Sequence, residues 1–375
     1  MSLGINGSTI KAHNEALLIG LIRRNKLISR RELAELSGLT PATVSSIIAR
    51  LIQDRIVEEG ETAPSRGGSK GGRRRTYVYL IPGSRLAGGL LIHRNGLEGT
   101  IIDIQGTIYV QHSRQYSQFL GSISESEIMN ELADMADSLQ KETRVNAKWL
   151  GWGIGVPWWY PSNVSWPGLI DKIKAKGVFR GSSVYLTQNA VCGAVAEWWY
   201  DEHSLKLPSL YIFIGGGIGG CLVRPGERHD TPSFHPIELG HMGINPDGPA
   251  CYCGANGCLE QFAGPSVISA DKKNDAARYL AYALRSITLL FDLQEIIVAS
   301  SDSQLLERDY LSVVRQILKQ TRPAIRVSQV AFRGEAVGAA AVVFYEDGVH
   351  VWATDLCRTN TSRGDQHGIK PKATH

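Results

Sequence analysis

Residues 238–260 read ELGHMGINPDGPACYCGANGCLE, with His241, Cys251, Cys253 and Cys258 spaced His-x9-Cys-x-Cys-x4-Cys. One imidazole and three thiolates make a usual ligand set for a tetrahedral zinc ion. Gly248, Gly254 and Gly257 would let a short loop curl around it. With all four positions filled by protein, no place remains for a catalytic water, so the ion is expected to be structural. The competing reading is free core thiols beside a surface histidine. His235, close by, reads as an ordinary loop residue. Glu238 and Glu260 flank the segment and are tied to the same loop. Carboxylates and imidazole suit vicinal hydroxyls, so a sugar is a natural ligand class. On residue type alone that reading is weak, because surface glutamates are common.

The chain around this segment has 375 residues, 43% hydrophobic and 20% charged, which suits two or three globular domains with a sizeable core. The start, MSLGINGSTIKAHNE, has no apolar signal core, and the charge-free run after Lys206 is broken by Pro208 and glycines. A cytoplasmic protein with no membrane insertion is expected. Six cysteines, three of them clustered, then favour metal over disulfides. Charge is uneven: residues 1–80 carry 13 Lys/Arg against 7 Asp/Glu, and the rest carry 27 against 29. The basic excess lies wholly in the first fifth, which points to a polyanionic partner for that part.

The N-terminal part reads as three helices and a hairpin. Leu17, Leu18, Leu21 and Ile22 stripe a helix over 13–25. Ser29 and Glu32 form a capping box for a second helix over about 30–37, expected to bury Leu33, Ala34 and Leu36. Gly38 turns the chain, Thr40 caps, and Pro41 opens a third helix to about residue 53, with Val44, Ile47, Ile48 and Leu51 buried. Thr40, Ala42, Thr43, Ser45, Ser46 and Arg50 are left for DNA. Strands over 55–59 and 75–80 bracket PSRGGSKGGRRRT, residues 64–76, whose Arg66, Lys70, Arg73, Arg74 and Arg75 face no acid. Such a wing lies close to a groove and neutralises phosphates. The whole is a winged helix-turn-helix; a three-helix scaffold with a solvated basic linker is the alternative.

From about residue 85 the pattern is α/β: strands at 86–92, 97–104, 108–112, 149–156, 183–186, 210–214 and 295–299, and helices at 124–142, 189–200, 275–291 and 335–344. Gly215–Gly220 reads as a loop that either cradles phosphate or lets strands pack closely. The alternation predicts two α/β lobes with a cleft.

IGGGIGG at 214–220, ELGH at 238–241 and CYCGANGCLE at 251–260 together resemble the signature of the ROK family, which holds bacterial sugar kinases and sugar-responsive repressors with an N-terminal winged helix-turn-helix. The resemblance spans about residues 12–350. It implies an actin-like ATPase (ribonuclease H-like) fold and a dimer or tetramer. It also implies zinc on His241, Cys251, Cys253 and Cys258, and sugar hydroxyls on Glu238, His241 and Glu260. One ring nitrogen of His241 would serve the zinc and the other the sugar. Domains are expected over 1–82 (winged helix), 83–198 completed by about 335–352 (first lobe) and 199–334 (second lobe, with zinc and the oligomer surface), with a polar tail at 353–375.

The departures from the kinases matter more. Kinases of the family start one helix with Asn-Asp, the Asp being the base. Here Gln188-Asn189 stands there, able to hold a hydroxyl but not to take its proton. The first hairpin, about Leu91–Asn95, lacks the aspartate and paired glycines of the phosphate loop, and Ser300-Ser301 replaces a Gly-Gly pair. The stretches 157–163 and 264–275 also depart from the family and bear on the pocket. The expectation is a regulator, of repressor type, with no catalytic residue. It would bind operator DNA and sense a small sugar or sugar phosphate. The alternatives are a sugar kinase fused to a DNA-binding domain, and a repressor controlled by a regulatory protein partner.

Overall fold

The computed structural model describes residues 7–61, 76–116, 123–157, 164–179, 182–200, 207–226, 232–266, 268, 272–300, 308–321, 323–328, 330 and 335–348. The basic segment carrying Arg66, Lys70, Arg73, Arg74 and Arg75, the stretch 158–163 and the tail 353–375 lie outside these residues.

Three helices come first: α1 (Gly7–Asn25), α2 (Arg30–Ser37) and α3 (Pro41–Gln53). Ser29 and Glu32 exchange hydrogen bonds as a capping box, Gly38 closes α2 at φ 67°, and the Thr40 side chain accepts from the Thr43 amide. β1 (Val57–Glu61) pairs antiparallel with β2 (Thr76–Leu80), and Ile28 bridges to Val78. Leu18, Ile22, Leu33, Val44, Ile48, Leu51 and Val78 pack together at the centre of these helices and strands. Leu36, expected inside, is 60% exposed. Leu33 and Ser37, one turn apart, define the buried stripe of this eight-residue helix, and Leu36 falls beside it.

The body contains two sheets of the same design. In the first, β3 (Arg85–His93), β4 (Gly96–Asp103) and β5 (Ile108–Gln115) form an antiparallel meander, and β6 (Lys148–Val156) and β7 (Ser183–Gln188) add parallel strands, in the order β5-β4-β3-β6-β7. α4 (Glu125–Glu142) and α5 (Trp166–Ala175) cover it, and α6 (Asn189–Tyr200) follows β7 without a break. In the second, β8 (Ser209–Ile214), β9 (Ile218–Arg224), β10 (Ser233–Ile237), β11 (Glu295–Ser300) and β12 (Ala324–Val327) repeat that order as β10-β9-β8-β11-β12. α7 (Glu260–Ala263), α8 (Lys273–Phe291) and α9 (Arg308–Leu318) accompany it. Each sheet is a three-stranded meander extended by parallel strands, the ribonuclease H-like unit used twice.

The glycine run departs from its reading as one loop. Only Gly215–Gly217 form the turn; Gly219 and Gly220 are strand residues of β9. A Cβ on Gly220 would sit 2.9 Å from Ile237 Cγ1 on β10, so close packing is what the glycine serves. His235, read as a loop residue, lies on β10 and is hydrogen-bonded to Ser233 at 3.1 Å.

α10 (Ala336–Gly348) is pressed backbone-first onto the first sheet. A Cβ on Gly89 would lie 2.0 Å from the Ala336 carbonyl oxygen, and one on Gly153 would lie 1.8 Å from that of Ala339. A Cβ on Gly338 would likewise fall 1.8 Å from the Cys192 carbonyl oxygen of α6. α6 and α10 thus cross at small residues between the two sheets.

The winged helix is not a loose appendage. Arg23 of α1 lies 3.9 Å over the Trp199 ring and donates to the Trp199 carbonyl, and Trp199 stacks on Phe344 of α10 at 5.4 Å. Gln105 donates to the Leu80 carbonyl at 2.6 Å, and Arg85 to that of Asp54 at 2.9 Å. The core of the three helices runs on into Val195, Trp199, Phe344 and Tyr345.

Candidate functional site

The segment 238–260 follows β10. A short 3-10 turn, Leu239–His241, presents His241, and a loop pinned by the bridges Gly243–Cys258 and Ala250–Asn256 carries the cysteines. Gly254 and Gly257 have φ of 91° and 65°, and a Cβ on Gly257 would fall 1.5 Å from the Asn245 carbonyl oxygen. Glycine is required there by both backbone and space.

The ligand atoms of His241, Cys251, Cys253 and Cys258 all lie within 4.8 Å of one another. Cys253 and Cys258 Sγ are 3.6 Å apart, and Cys251 Sγ is 3.5 Å from His241 Nδ1. Zn–S bonds of about 2.3 Å at tetrahedral angles would separate sulfurs by about 3.8 Å. The cluster therefore has the size and donor set of a metal site. Burial, then the neighbouring Cys253 and Cys251, push the Cys258 thiol up to about 12. A divalent cation is the partner that would hold such thiols as thiolates. Burial lowers the His241 pKa, and Arg94 lowers it further against the pull of Glu260. The neutral ring that results is the form that binds metal.

Beside this cluster, between the two sheets, is a cleft of about 120 Å³. Gln188, Asn189, Glu238, His241 and Glu260 all line it, so the five residues assigned to a sugar converge. Gln188 ends β7 and Asn189 opens α6. Asn189 Nδ2 donates to the Ile92 carbonyl at 2.9 Å, while its Oδ1 is buried without a hydrogen-bond partner among the described residues. Glu260, 5% exposed, starts α7; Oε1 accepts from Arg94 Nη2 at 2.9 Å and Oε2 from the Ile218 amide at 3.3 Å.

Among the lining residues with no role assigned from sequence, Arg94 and Tyr252 bear on the chemistry of the site. Arg94 occupies the β3–β4 turn, where the sequence shows only a degraded phosphate loop. Tyr252 sits between two cysteines of the cluster, its ring edge-on to His241 at 5.0 Å and beneath Arg94 at 4.9 Å. The flanking cysteines were the available signal for Tyr252. Nothing local marks the reach of Arg94 to Glu260.

Of the residues assigned to DNA, Thr40, Ala42 and Ser46 are exposed on α3 or its cap, and Thr43 and Ser45 are half-buried. Arg50 is held in an ion pair with Glu15 of α1, so it braces the helices as well as facing outward.

A winged helix docked on two ribonuclease H-like sheets, with a cluster of one histidine and three cysteines at the cleft between them, defines a DNA-binding-type domain joined to a two-sheet α/β body. Residues 162–277 match the ROK family and residues 14–58 a winged helix-turn-helix DNA-binding domain, so the chain carries a ROK domain behind an N-terminal winged helix-turn-helix. It is 28% identical to a xylose repressor of Caldicellulosiruptor bescii over 72% of this chain and 68% of that one. The fold matches a ROK family transcriptional regulator described as a homolog of the E. coli MLC protein, with TM-score 0.69 and 19% identity over 91% of this chain and 98% of that one. It also matches a ROK hexokinase from Thermus thermophilus, with TM-score 0.55 and 21% identity over 70% and 99%. Regulators and kinases thus share this scaffold, and the fold alone does not separate them. No helix of the described residues is long and apolar enough to cross a membrane.

Proposed function

We propose that this protein is a sugar-responsive transcriptional regulator of the repressor type, acting in the cytoplasm. It binds operator DNA through α3 and the basic segment 64–76, and a small sugar or sugar phosphate in the cleft modulates that binding. The observation that carries the reading is the course of α6. Its first residue, Asn189, lines the cleft, and its Trp199 is clamped by Arg23 of the winged helix. About 15 Å of rigid helix separates the two. A ligand that draws the sheets together would move α6 and, with it, the DNA-binding domain.

The kinase reading is disfavoured at Asn189. An amide whose Nδ2 is bonded to the Ile92 carbonyl takes no proton from a sugar hydroxyl. His241, Cys251, Cys253 and Cys258 are assigned to a structural zinc ion, which would fix the loop bearing Tyr252 and lead into Glu260. A homodimer or tetramer fits the exposed apolar side of α8, where Leu289 is 64% and Leu290 77% exposed. The same side would serve a regulatory protein partner. Paired winged helices read half-sites about one helical turn, 10–10.5 base pairs, apart or multiples of that.

The test is selection of bound sequences from a random DNA pool at moderate salt, followed by gel shift with and without sugars. A selected, two-fold repeated sequence released by a sugar is expected. Binding without sequence preference refutes the regulator, and phosphorylation of any hexose above an ATP-only control refutes the non-catalytic clause.

A further inference from the structure

Arg94 crosses the cleft. It stands on the turn between β3 and β4 of the first sheet, and its guanidinium meets Glu260, which belongs to the second. The carboxylate is held in place: a Cβ on Gly217 would sit 2.7 Å from Glu260 Oε2, and one on Gly240 2.9 Å from it. A charge this buried requires its partner, since removing one member of a buried pair leaves the other uncompensated.

The charges around the cleft are otherwise one-sided. Among the described lining residues, Arg94 is the one lysine or arginine, against the carboxylates of Glu238 and Glu260. His93, also in the wall, lies 3.3 Å from Glu98, which balances it. Strong acceptors stand in the wall beside the donors of Gln188 and Tyr252. When ionised, Glu238 and Glu260 can accept but not donate, and the buried Oδ1 of Asn189 is an acceptor that lacks a donor among the described residues.

We propose that Arg94, by locking onto Glu260, makes the cleft a site for an uncharged sugar and excludes sugar phosphates. The inference rests on the sugar-binding reading above, which leaves both classes open. Hydroxyl groups donate to the remaining lone pairs of Glu260, to Glu238 and to Asn189 Oδ1 while the ion pair stays intact. A phosphate group brings about two negative charges at neutral pH and offers acceptors alone. Holding it would need a guanidinium, and drawing Arg94 away strips a buried carboxylate of its counter-charge. Arg94 is in this sense a specificity-determining residue.

The experiment is calorimetric titration of the full-length protein with xylose, glucose and N-acetylglucosamine, and with glucose 6-phosphate and N-acetylglucosamine 6-phosphate. The wild type is expected to bind at least one free sugar, and any phosphorylated form at least tenfold more weakly. Glu260→Gln releases Arg94 from its partner, so the preference should shrink or invert. The double variant Arg94→Ala with Glu260→Gln should lose the gain for phosphates. A phosphate that binds the wild type as tightly as its free sugar, or a preference unchanged in Glu260→Gln, overturns the proposal. Should Glu260→Gln fail to fold, the wild-type ratio still decides. If neither class binds the wild type, the sugar reading itself falls, and this inference falls with it.

Discussion

Glu335 is a carboxyl with no ordinary reason to be buried. It precedes α10, accepts from the Tyr211 hydroxyl at 3.2 Å through Oε1, and has no partner for Oε2 among the described residues. Burial raises its pKa to about 8; His93 opposes the shift and Glu98 adds to it. A carboxyl that titrates near 4.5 unfolded and near 8 folded binds its proton more tightly in the folded state. Its contribution to stability is full below about pH 4.5, declines through the window, and is gone above about pH 8. The amount is on the order of a few kcal/mol. Glu335→Gln should therefore melt within about 2 °C of the wild type at about pH 5, where both side chains are neutral, and by about pH 9 it should melt roughly 5 °C or more above it. Melting curves across that range check this, and a gap that does not change with pH removes the assignment. Single residues differ in how far sequence exposes them. His241, Cys251, Cys253 and Cys258 were legible because soft ligands at short spacing have few other uses. Arg94 with Glu260, and Glu335 with Tyr211, were not, since each pair joins distant segments whose meeting depends on how the two sheets face each other.

At the level of elements, those that carry their own boundary chemistry were the readable ones. α2 and α3 begin at caps formed by Ser29 and Thr40, and α6 spans Asn189–Tyr200, the range expected of it. β10 and β12, of five and four residues, offered too little pattern, whereas α9, whose Tyr310, Leu311, Val314 and Leu318 form a buried helical stripe, was legible and went unread. Glycines were ambiguous: those of β9 read either as a phosphate loop or as close strand packing, and packing is what Gly220 serves. The loop over 242–259 is the opposite case. It has little apolar content of its own, and several of its bonds, such as Cys251 N–H to the Ala255 carbonyl at 2.8 Å, are local. The cluster has the size for one metal ion, which would cross-link the loop. Elemental analysis should find one zinc per chain in the wild type and less than about a fifth of that in Cys258→Ser, because three ligands form an incomplete shell. Chelation should also lower the melting temperature. Zinc that leaves without moving it would be lodged there adventitiously.

For the whole molecule, the question is how a cleft between two sheets reaches a domain that lies beside them. The covalent route from β2 to β3 passes through residues 81–84 only, and side-chain bonds reinforce it. α6 supplies the second route. It is fixed at one end by Asn189 on the Ile92 carbonyl and at the other by Arg23 stacked on Trp199. Two attachments make the winged helix follow the body; with one, it would swing about residues 81–84. Coupling between sites requires an element whose position both ends bias. Arg23→Gln removes the stacked guanidinium from that junction and leaves α3 and the cleft untouched. Operator affinity without sugar should stay within about threefold, since the bases are read by α3. The sugar concentration that releases DNA should rise at least tenfold, or release should vanish, while calorimetry shows sugar binding unchanged. Gel shift and calorimetry on the same preparation separate these quantities. If Arg23→Gln releases DNA at the wild-type sugar concentration, α6 does not carry the signal, and movement of the cleft must reach the winged helix through residues 81–84.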